Sequence, residues 1–268
     1  MRRFAIGDIH GCSKALQALV DEIAPTRDDT LIFLGDYIDR GPDSRGVIDL
    51  IVQLTRQTRV IPLRGNHEVM LMAVLFGGLD PDFWAKSGGQ STVASYGGSL
   101  ERVPQSHLDF FRSLRSHHET ENEIFIHAGY NPACPIELTD DAHRYWNHPT
   151  MWPGPHCSGK RVYVGHTPQP SGEILNLGHI VCVDTYCFGG GWLTALDIDS
   201  HQILQASKHG HLRRVPLVAM LNWFKRMINR KPSLDQRDAS REVVAGQRMP
   251  FAQASQKTGI VSDPGSQP

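Results

Sequence analysis

The chain has 268 residues, 40% hydrophobic and 21% charged, enough to bury one substantial core in a single domain of catalytic size. No run of about 18 apolar residues occurs, which excludes a membrane-spanning helix. A strand-like run from Arg3 reaches a motif by Gly7, so no export is expected and the cytoplasm is the expected compartment. Five Cys, at positions 12, 134, 157, 182 and 187, form no CxxC pair, which argues against a disulfide framework and against a thiolate zinc site. The 14 His are the unusual feature, because imidazole is the commonest metal ligand and the side chain best suited to proton transfer near neutral pH. The net charge of -1 divides into -8 over residues 1–207 and +7 over residues 208–268. Neither part has the dense basic stripe or aromatic platform that would indicate nucleic acid.

In chain order, a strand is predicted over residues 3–6, an amphipathic helix over 13–23, a strand over 30–34, a helix over 44–55, a strand over 59–63 and a helix over 67–76. Residues 86–98 are rich in Gly and Ser and read as a loop with a short helix inside, ahead of a helix over 106–116. Further strands are predicted over 123–126, 161–164, 179–183, 192–198 and 203–206. Little helical pattern separates these late strands, so antiparallel hairpins are expected. This alternation is that of a layered α/β catalytic domain over residues 1–215. Apolar residues at 217, 220, 221, 224 and 228, with Lys225, Arg226, Arg230 and Lys231 nearby, read as an amphipathic basic helix over 216–232. Packing back on the catalytic domain is its leading reading; contact with a partner or an anionic membrane surface through 217–231 is the lesser one. Residues 233–268 read as a disordered tail.

Five strands end alike, giving onto a Gly flanked by residues that can bind metal. FAIGDIHG delivers Asp8 and His10, LIFLGD delivers Asp36, IPLRGNHE delivers Asn66 and His67, IFIHAG delivers His127, and VYVGH delivers His166. Strand ends on a rigid sheet are where convergent loops build sites, and Gly allows the sharp turns that aim such side chains inward. Asp8 and His10 are two apart, so in an extended segment they face the same way and could share one cation. Asp36 has two oxygens with which to bridge a pair, and Asn66, His127 and His166 complete a set of oxygen and nitrogen donors. With no thiolate, the set favours Mn²⁺, Fe or Zn²⁺. Two ions about 3.5–4 Å apart can hold a hydroxide at neutral pH and clamp a phosphoryl oxygen.

The blocks GDIHG, GDYIDRG, GNHE, HAG and GHT, in this order, resemble the PPP family of metal-dependent phosphoprotein phosphatases, of bacterial type, within the calcineurin-like metallophosphoesterase superfamily. The resemblance covers residues 4–207. It implies an α/β fold, a β-sandwich flanked by helices in four layers, with two divalent metal ions at one end of the sheets, Mn²⁺ preferred and Fe or Zn²⁺ as alternatives. It also implies Asp8, His10 and Asp36 on the first metal, and Asp36, Asn66, His127 and His166 on the second. Arg40 is the implied phosphate-binding residue, since its planar fork of donors suits two phosphate oxygens. His67 is the implied general acid, with Asp39 orienting its ring and favouring the protonated form. The expected reaction is in-line attack on phosphorus by a metal-bridging hydroxide while His67 protonates the leaving oxygen, with no phosphoenzyme.

The family's second phosphate-binding Arg lies in a Leu-x-Trp-x-Arg-like stretch, whereas HRYWNHPTMW here places Asn147 and His148 after Trp146 and Arg144 before it. Arg144 is the candidate substrate contact; Arg161, at the start of the GHT strand, reads as a strand-edge surface residue. Tyr130, just after HAG, either lines the site or packs under the loop. DTYCFGGGWLTAL resembles a bacterial DTG-x-x-x-GG-x-LTAL segment, with Tyr186 where Gly is usual and a turn at residues 189–191. Asp184 either orients a ligand His or bonds to backbone, and the cysteines read as small buried hydrophobes.

The leading functional reading is a phosphoprotein phosphatase acting on phosphoserine or phosphothreonine in proteins or peptides, with phosphotyrosine also open. The alternative is a symmetrical dinucleoside tetraphosphate hydrolase. Those enzymes share the metal blocks but resemble GNHD and GHW, and usually lack the Asp present in GDYIDRG. A reading from another class, a non-catalytic binding module acting through the basic tail, would be accompanied by a lost ligand or acid. All six ligands, Asp39, Arg40 and His67 are present.

Overall fold

The structure is a computed structural model that describes residues 1–213. The basic stretch 216–232 and the tail 233–268 lie outside the described residues. The chain runs β1 (Arg3–Ile6), α1 (Ser13–Ile23), β2 (Thr30–Phe33), α2 (Ser44–Leu54), β3 (Arg59–Pro62), α3 (Asn66–Leu75), α4 (Pro81–Trp84), α5 (Gln90–Ser95) and α6 (Gln105–Ser113). It continues through β4 (His117–Glu119), β5 (Glu123–Ile126), β6 (Arg161–Val164), β7 (Leu175–Asn176), β8 (Ile180–Cys182), β9 (Trp192–Asp197) and β10 (Ile203–Ser207).

Period-two alternation decides how these strands stack. β1 sends Phe4 and Ile6 to one face and Ala5 to the other; β2 sends Leu31 and Phe33 to the first face and Ile32 to the second. Both faces are apolar, so the sheet must be covered on both sides. On one face lie α1 and α2, whose stripes Ala15, Leu16, Leu19, Val20, Ile23 and Val47, Ile48, Ile51, Leu54 recur at helical spacing. Against the other face packs a second sheet, through Phe125, Tyr163 and Val181. That sheet in turn buries Ile124, Ile126, Val162, Val164 and Ile180 on its outer side. Its cover is the long connection after β5, which carries a 3₁₀ turn at Ile136–Leu138 and a π-helical turn at Ala142–Trp146 instead of an α-helix.

The strand order is β10-β9-β1-β2-β3 in the first sheet and β4-β5-β6-β8-β7 in the second. β1, β2 and β3 are parallel, as are β5, β6 and β8. Their carboxyl ends therefore open at one end of the sandwich, where loops meet in an open α/β fold. The antiparallel expectation holds for β9 with β10, and the unpredicted β7 also pairs antiparallel, with β8. It is corrected for β5, β6 and β8, because the connection between β5 and β6 is long enough to return the chain in parallel without an α-helix. Helical structure also begins earlier than the predicted loop, at Pro81, and passes through a π turn at Ala85–Gly89 into α5. The short edge strands β4 and β7 were not predicted. Among the described residues, no helix is long and apolar enough to cross a membrane.

At the opposite end of the sheet from those carboxyl ends, Asp29 ties the entry of β2 to β1 and α1. Its carboxylate accepts from the Arg2 N–H at 2.8 Å, the Arg2 guanidinium at 2.7 Å and the Thr26 N–H at 2.9 Å, and Arg2 also donates to the Ile23 carbonyl at 3.0 Å. The Arg2 hydrogen bond, above all, holds the Asp29 carboxyl well below the usual carboxylate range. A depressed folded value adds stability above the unfolded value of about 4 and loses it as pH falls toward the folded one. Asp29→Ala is accordingly expected to cost about 1–3 kcal/mol in urea denaturation at pH 7. Its deficit relative to the parent protein should shrink when the same curves are recorded at about pH 3.

Candidate metal centre

The strand exits reach their positions through strained backbone. Eight residues other than Gly have positive φ among the described residues, and six of them, His10, Asp36, Asp39, Arg40, His166 and Tyr186, lie on the loops at this end of the sheets. Each such conformation costs of the order of 1–3 kcal/mol and persists only where the surroundings enforce it. Two glycines let the exits approach one another. A Cβ at Gly35, which has φ +106°, would lie 2.8 Å from His127 Nδ1, and one at Gly65 would collide with the Asp36 carboxylate.

Two clusters of donor atoms result, each within 4.8 Å, and Asp36 belongs to both: His10, Asp36 and His67 form one, and Asp36, His127 and His166 the other. Asp36 Oδ2 lies 3.5 Å from His10 Nε2, and Asp36 Oδ1 lies 3.4 Å from His127 Nε2. His10 Nδ1 donates to the Ile38 carbonyl at 2.9 Å and His127 Nδ1 to the Leu34 carbonyl at 2.8 Å, which leaves each Nε2 without a proton and able to offer a lone pair to the cluster. Backbone carbonyls orient metal-binding imidazoles in this way. Burial pushes His10 and His166 well below the ordinary imidazole range, and His127 below it, which favours the neutral ring in all three. Asn66 Oδ1 stands 3.0 Å from His127 Nε2 and 3.1 Å from His166 Nδ1, while those two nitrogens are 3.2 Å apart. The amide can present either end, since turned over its NH₂ reaches the same nitrogens and Asp36 at 3.0–3.2 Å. Buried oxygen and nitrogen lone pairs converging without a thiolate are the donor set of a hard to borderline divalent cation.

Asp8 stands beside these clusters rather than within either. It is buried, and both its oxygens accept from the His166 N–H, at 3.1 and 3.0 Å. His67 takes the corresponding place beside Asp36 Oδ2, with its Nε2 at 4.0 Å. Its Nδ1 donates to Asp39 Oδ2 at 2.7 Å. Burial works against the charged ring of His67, but the Asp36 and Asp39 carboxylates outweigh it and hold its pKa above the ordinary value.

Several supporting side chains were not picked out in the sequence. Asp39 is fully buried and accepts from Trp84 Nε1 at 2.7 Å and from Thr92 Oγ1 at 2.6 Å, and its own N–H donates to Ser44 Oγ and Thr92 Oγ1. Trp84 and Thr92 lie on either side of the π turn, a stretch whose Gly and Ser content masks the helical spacing that brings both to one carboxylate. Glu68, the last residue of GNHE, accepts from the N–H groups of Asp36, Tyr37 and Gly65 at 2.9 Å each, and of Ile38 at 3.4 Å. Burial, with the Asp36 charge adding to it, raises the Glu68 pKa, while the N–H groups of Gly65 and Tyr37 draw it down and favour the carboxylate. One carboxylate thereby fixes the turn after β2 to the start of α3.

The remaining candidates divide. Arg40 is exposed, with NH1 3.1 Å from His10 Nε2 and its guanidinium 4.7 Å over the half-buried Phe188 ring. Arg144 is turned into its own loop, donating to the carbonyls of Thr139 at 2.7 Å and of Ile136 and Glu137 at 3.4 Å. Tyr130 is buried and donates to the Gly154 carbonyl at 2.8 Å, which is the packing alternative of the two expected for it. Arg161 binds the Gly178 carbonyl at 2.8 Å at the start of β6, away from His166. Asp184 accepts from the Tyr186 N–H at 2.9 Å, and burial pushes it up to about 7. All five cysteines are free, but only Cys12, Cys182 and Cys187 are buried; Cys134 is half-buried and Cys157 exposed.

A family model described as calcineurin-like phosphoesterase matches residues 1–250. A symmetrical bis(5'-nucleosyl)-tetraphosphatase of Cellvibrio japonicus is 24% identical over 276 residues, spanning 77% of this chain and 99% of its own length. The same name recurs among relatives that match about half of this chain and 48% of their own length. Serine/threonine-protein phosphatase 1 of Salmonella typhimurium is 27% identical, over 71% of this chain and 89% of its own. The crystal structure of a candidate diadenosine tetraphosphatase shares the fold, with a TM-score of 0.57 at 22% identity, over 76% of this chain and 92% of that one.

Glu68→Gln tests the central turn. An amide cannot accept at its NH₂ end, so at least two buried N–H groups lose their acceptor, and a loss of about 2–4 kcal/mol is expected in chemical denaturation. An unchanged midpoint would show that the turn holds itself.

Proposed function

The chain belongs to the calcineurin-like phosphoesterase family, and on that premise we propose that it is a metal-dependent phosphohydrolase whose first substrate class is the symmetrical dinucleoside tetraphosphates. The motif differences placed phosphoproteins first; the relatives reverse that order. The observation that carries the reading is the match to the Cellvibrio tetraphosphatase over nearly all of that protein's length.

The proposed ligands are Asp8, His10 and Asp36 for one cation, and Asp36, Asn66, His127 and His166 for the other, with His67 close to the first. When bound, two divalent cations, Mn²⁺ in this proposal with Fe or Zn²⁺ as alternatives, supply a nucleophile from water near neutral pH and offset phosphoryl charge. Arg40 binds phosphoryl oxygens through its fork of donors. His67 holds a proton at Nε2, because its Nδ1 proton is engaged by Asp39 and its charge is favoured by the two carboxylates. Trp84 and Thr92 keep Asp39 dry and aimed.

The buried dyad of Asp39 and His67 favours a second reading, a phosphoprotein phosphatase, for which the Salmonella relative also speaks. An alkoxide leaving from phosphoserine needs a proton in the transition state, whereas a nucleoside diphosphate leaves readily without one. Competition between diadenosine tetraphosphate and a phosphoserine peptide, with Mn²⁺ present, separates the two. Higher kcat/KM for the nucleotide is expected; a preference for the peptide by orders of magnitude would install the second reading. His67→Asn should lower kcat on the peptide by about 10²–10³-fold and on the nucleotide by about tenfold or less.

A further inference from the structure

Beside His166 stands an imidazole that none of these steps uses. His148 follows the π turn Ala142–Trp146 and is exposed. Its ring lies almost parallel to that of His166, with centroids 4.0 Å apart and planes 24° apart. Neither ring nitrogen has a hydrogen-bond partner among the described residues, and the charged groups that bear on it are Arg40 and Asp36. Arg40 lies against His10, in one cluster, and His148 lies against His166, in the other. A phosphate spanning both clusters would therefore meet Arg40 on one side and His148 on the other. Arg144, the nearest arginine in sequence, has its NH2 engaged by three carbonyls of its own loop.

We propose that His148 is a second substrate-contact residue, donating a ring N–H to a non-bridging phosphoryl oxygen across from Arg40, and that it biases the site toward a phosphorus inside a phosphoanhydride chain. The proposal rests on the dinucleoside tetraphosphate reading and deepens it. A guanidinium offers five donors in a fork, an imidazole one or two on separate ring positions. The three free oxygens of a phosphomonoester call for two forks; the two free oxygens of an internal phosphate are covered by one fork and one N–H.

The test compares the full-length protein with His148→Ala and His148→Arg, by calorimetric binding of a methylene-bridged diadenosine tetraphosphate analogue and by kinetics on diadenosine tetraphosphate and para-nitrophenyl phosphate. For His148→Ala, the Kd of the analogue and the KM of the tetraphosphate should rise about tenfold or more, as for a lost hydrogen bond to a charged group, with kcat changed by less than about threefold. His148→Arg should shift the kcat/KM ratio toward the monoester by about tenfold. Kd and KM within about twofold of the parent, or a loss of kcat at unchanged Kd, would overturn the contact, the latter because it marks a structural role beside His166. Should the parent protein prefer a phosphoserine peptide, the functional reading and the anhydride bias fail together. The contact is then judged separately, by whether His148→Ala raises the KM for that peptide.

Discussion

Asp36 is the residue on which the centre is organised. Its two oxygens face different imidazoles, His10 on one side and His127 on the other, so a shift of this single carboxylate would separate the two donor clusters. The residue sits at φ 52°, in the left-handed region, where a side chain other than Gly is uncommon and is held by its surroundings. The constraint comes from the start of α3: His67 N–H donates to Asp36 Oδ1 at 3.1 Å, and Glu68 accepts the N–H groups of Asp36, Tyr37 and Gly65. The helix therefore supplies the proposed ligand Asn66, the proposed proton donor His67 and the clamp Glu68 from three consecutive residues of its first turn. Around that turn the parallel strands set the rest, since β1, β2 and β3 in one sheet and β5 and β6 in the other all point their carboxyl ends the same way.

Much of this was legible in the sequence, because it is written in local patterns. A four-residue apolar strand followed by Gly and a polar ligand is a short-range signal, and β1, β5 and β6 fall at the residues predicted for them. The helices that follow the motifs are legible from their stripes, as in α1. What the sequence concealed depends on non-local pairing or on unusual backbone. The parallel pairing of β5, β6 and β8 requires knowing that irregular chain crosses over between them. The hold of Trp84 and Thr92 on Asp39 needs a π turn across Gly88, whose φ of +111° no periodicity template describes. Glu68 sits within a quoted motif, yet its part appears only when its carboxylate is seen collecting amides from a segment 30 to 32 residues away.

Substrate choice belongs to a different layer of the molecule. The donor clusters are buried and common to hydrolases of several phosphoric compounds, so the motif blocks carry the reaction class and not the substrate. In the proposal, discrimination falls to exposed groups around the centre and to His67. Arg40 and His148 are exposed and Phe188 is half-buried, and none belongs to the buried donor clusters. His67 and Asp39, by contrast, matter in proportion to how poor the leaving group is. The buried dyad speaks for a poor leaving group and the tetraphosphatase relatives for a good one, which is why the relatives weigh in the ordering of the two proposals.

The account stands on two cations sharing Asp36, and metal stoichiometry at equilibrium tests this most directly. Dialysis of the full-length protein against Mn²⁺, followed by elemental analysis, should give two ions per chain for the parent and fewer than one for Asp36→Asn, with circular dichroism showing that the variant remains folded. Two ions retained by Asp36→Asn, or none bound by the parent across Mn²⁺, Fe²⁺ and Zn²⁺, would contradict it.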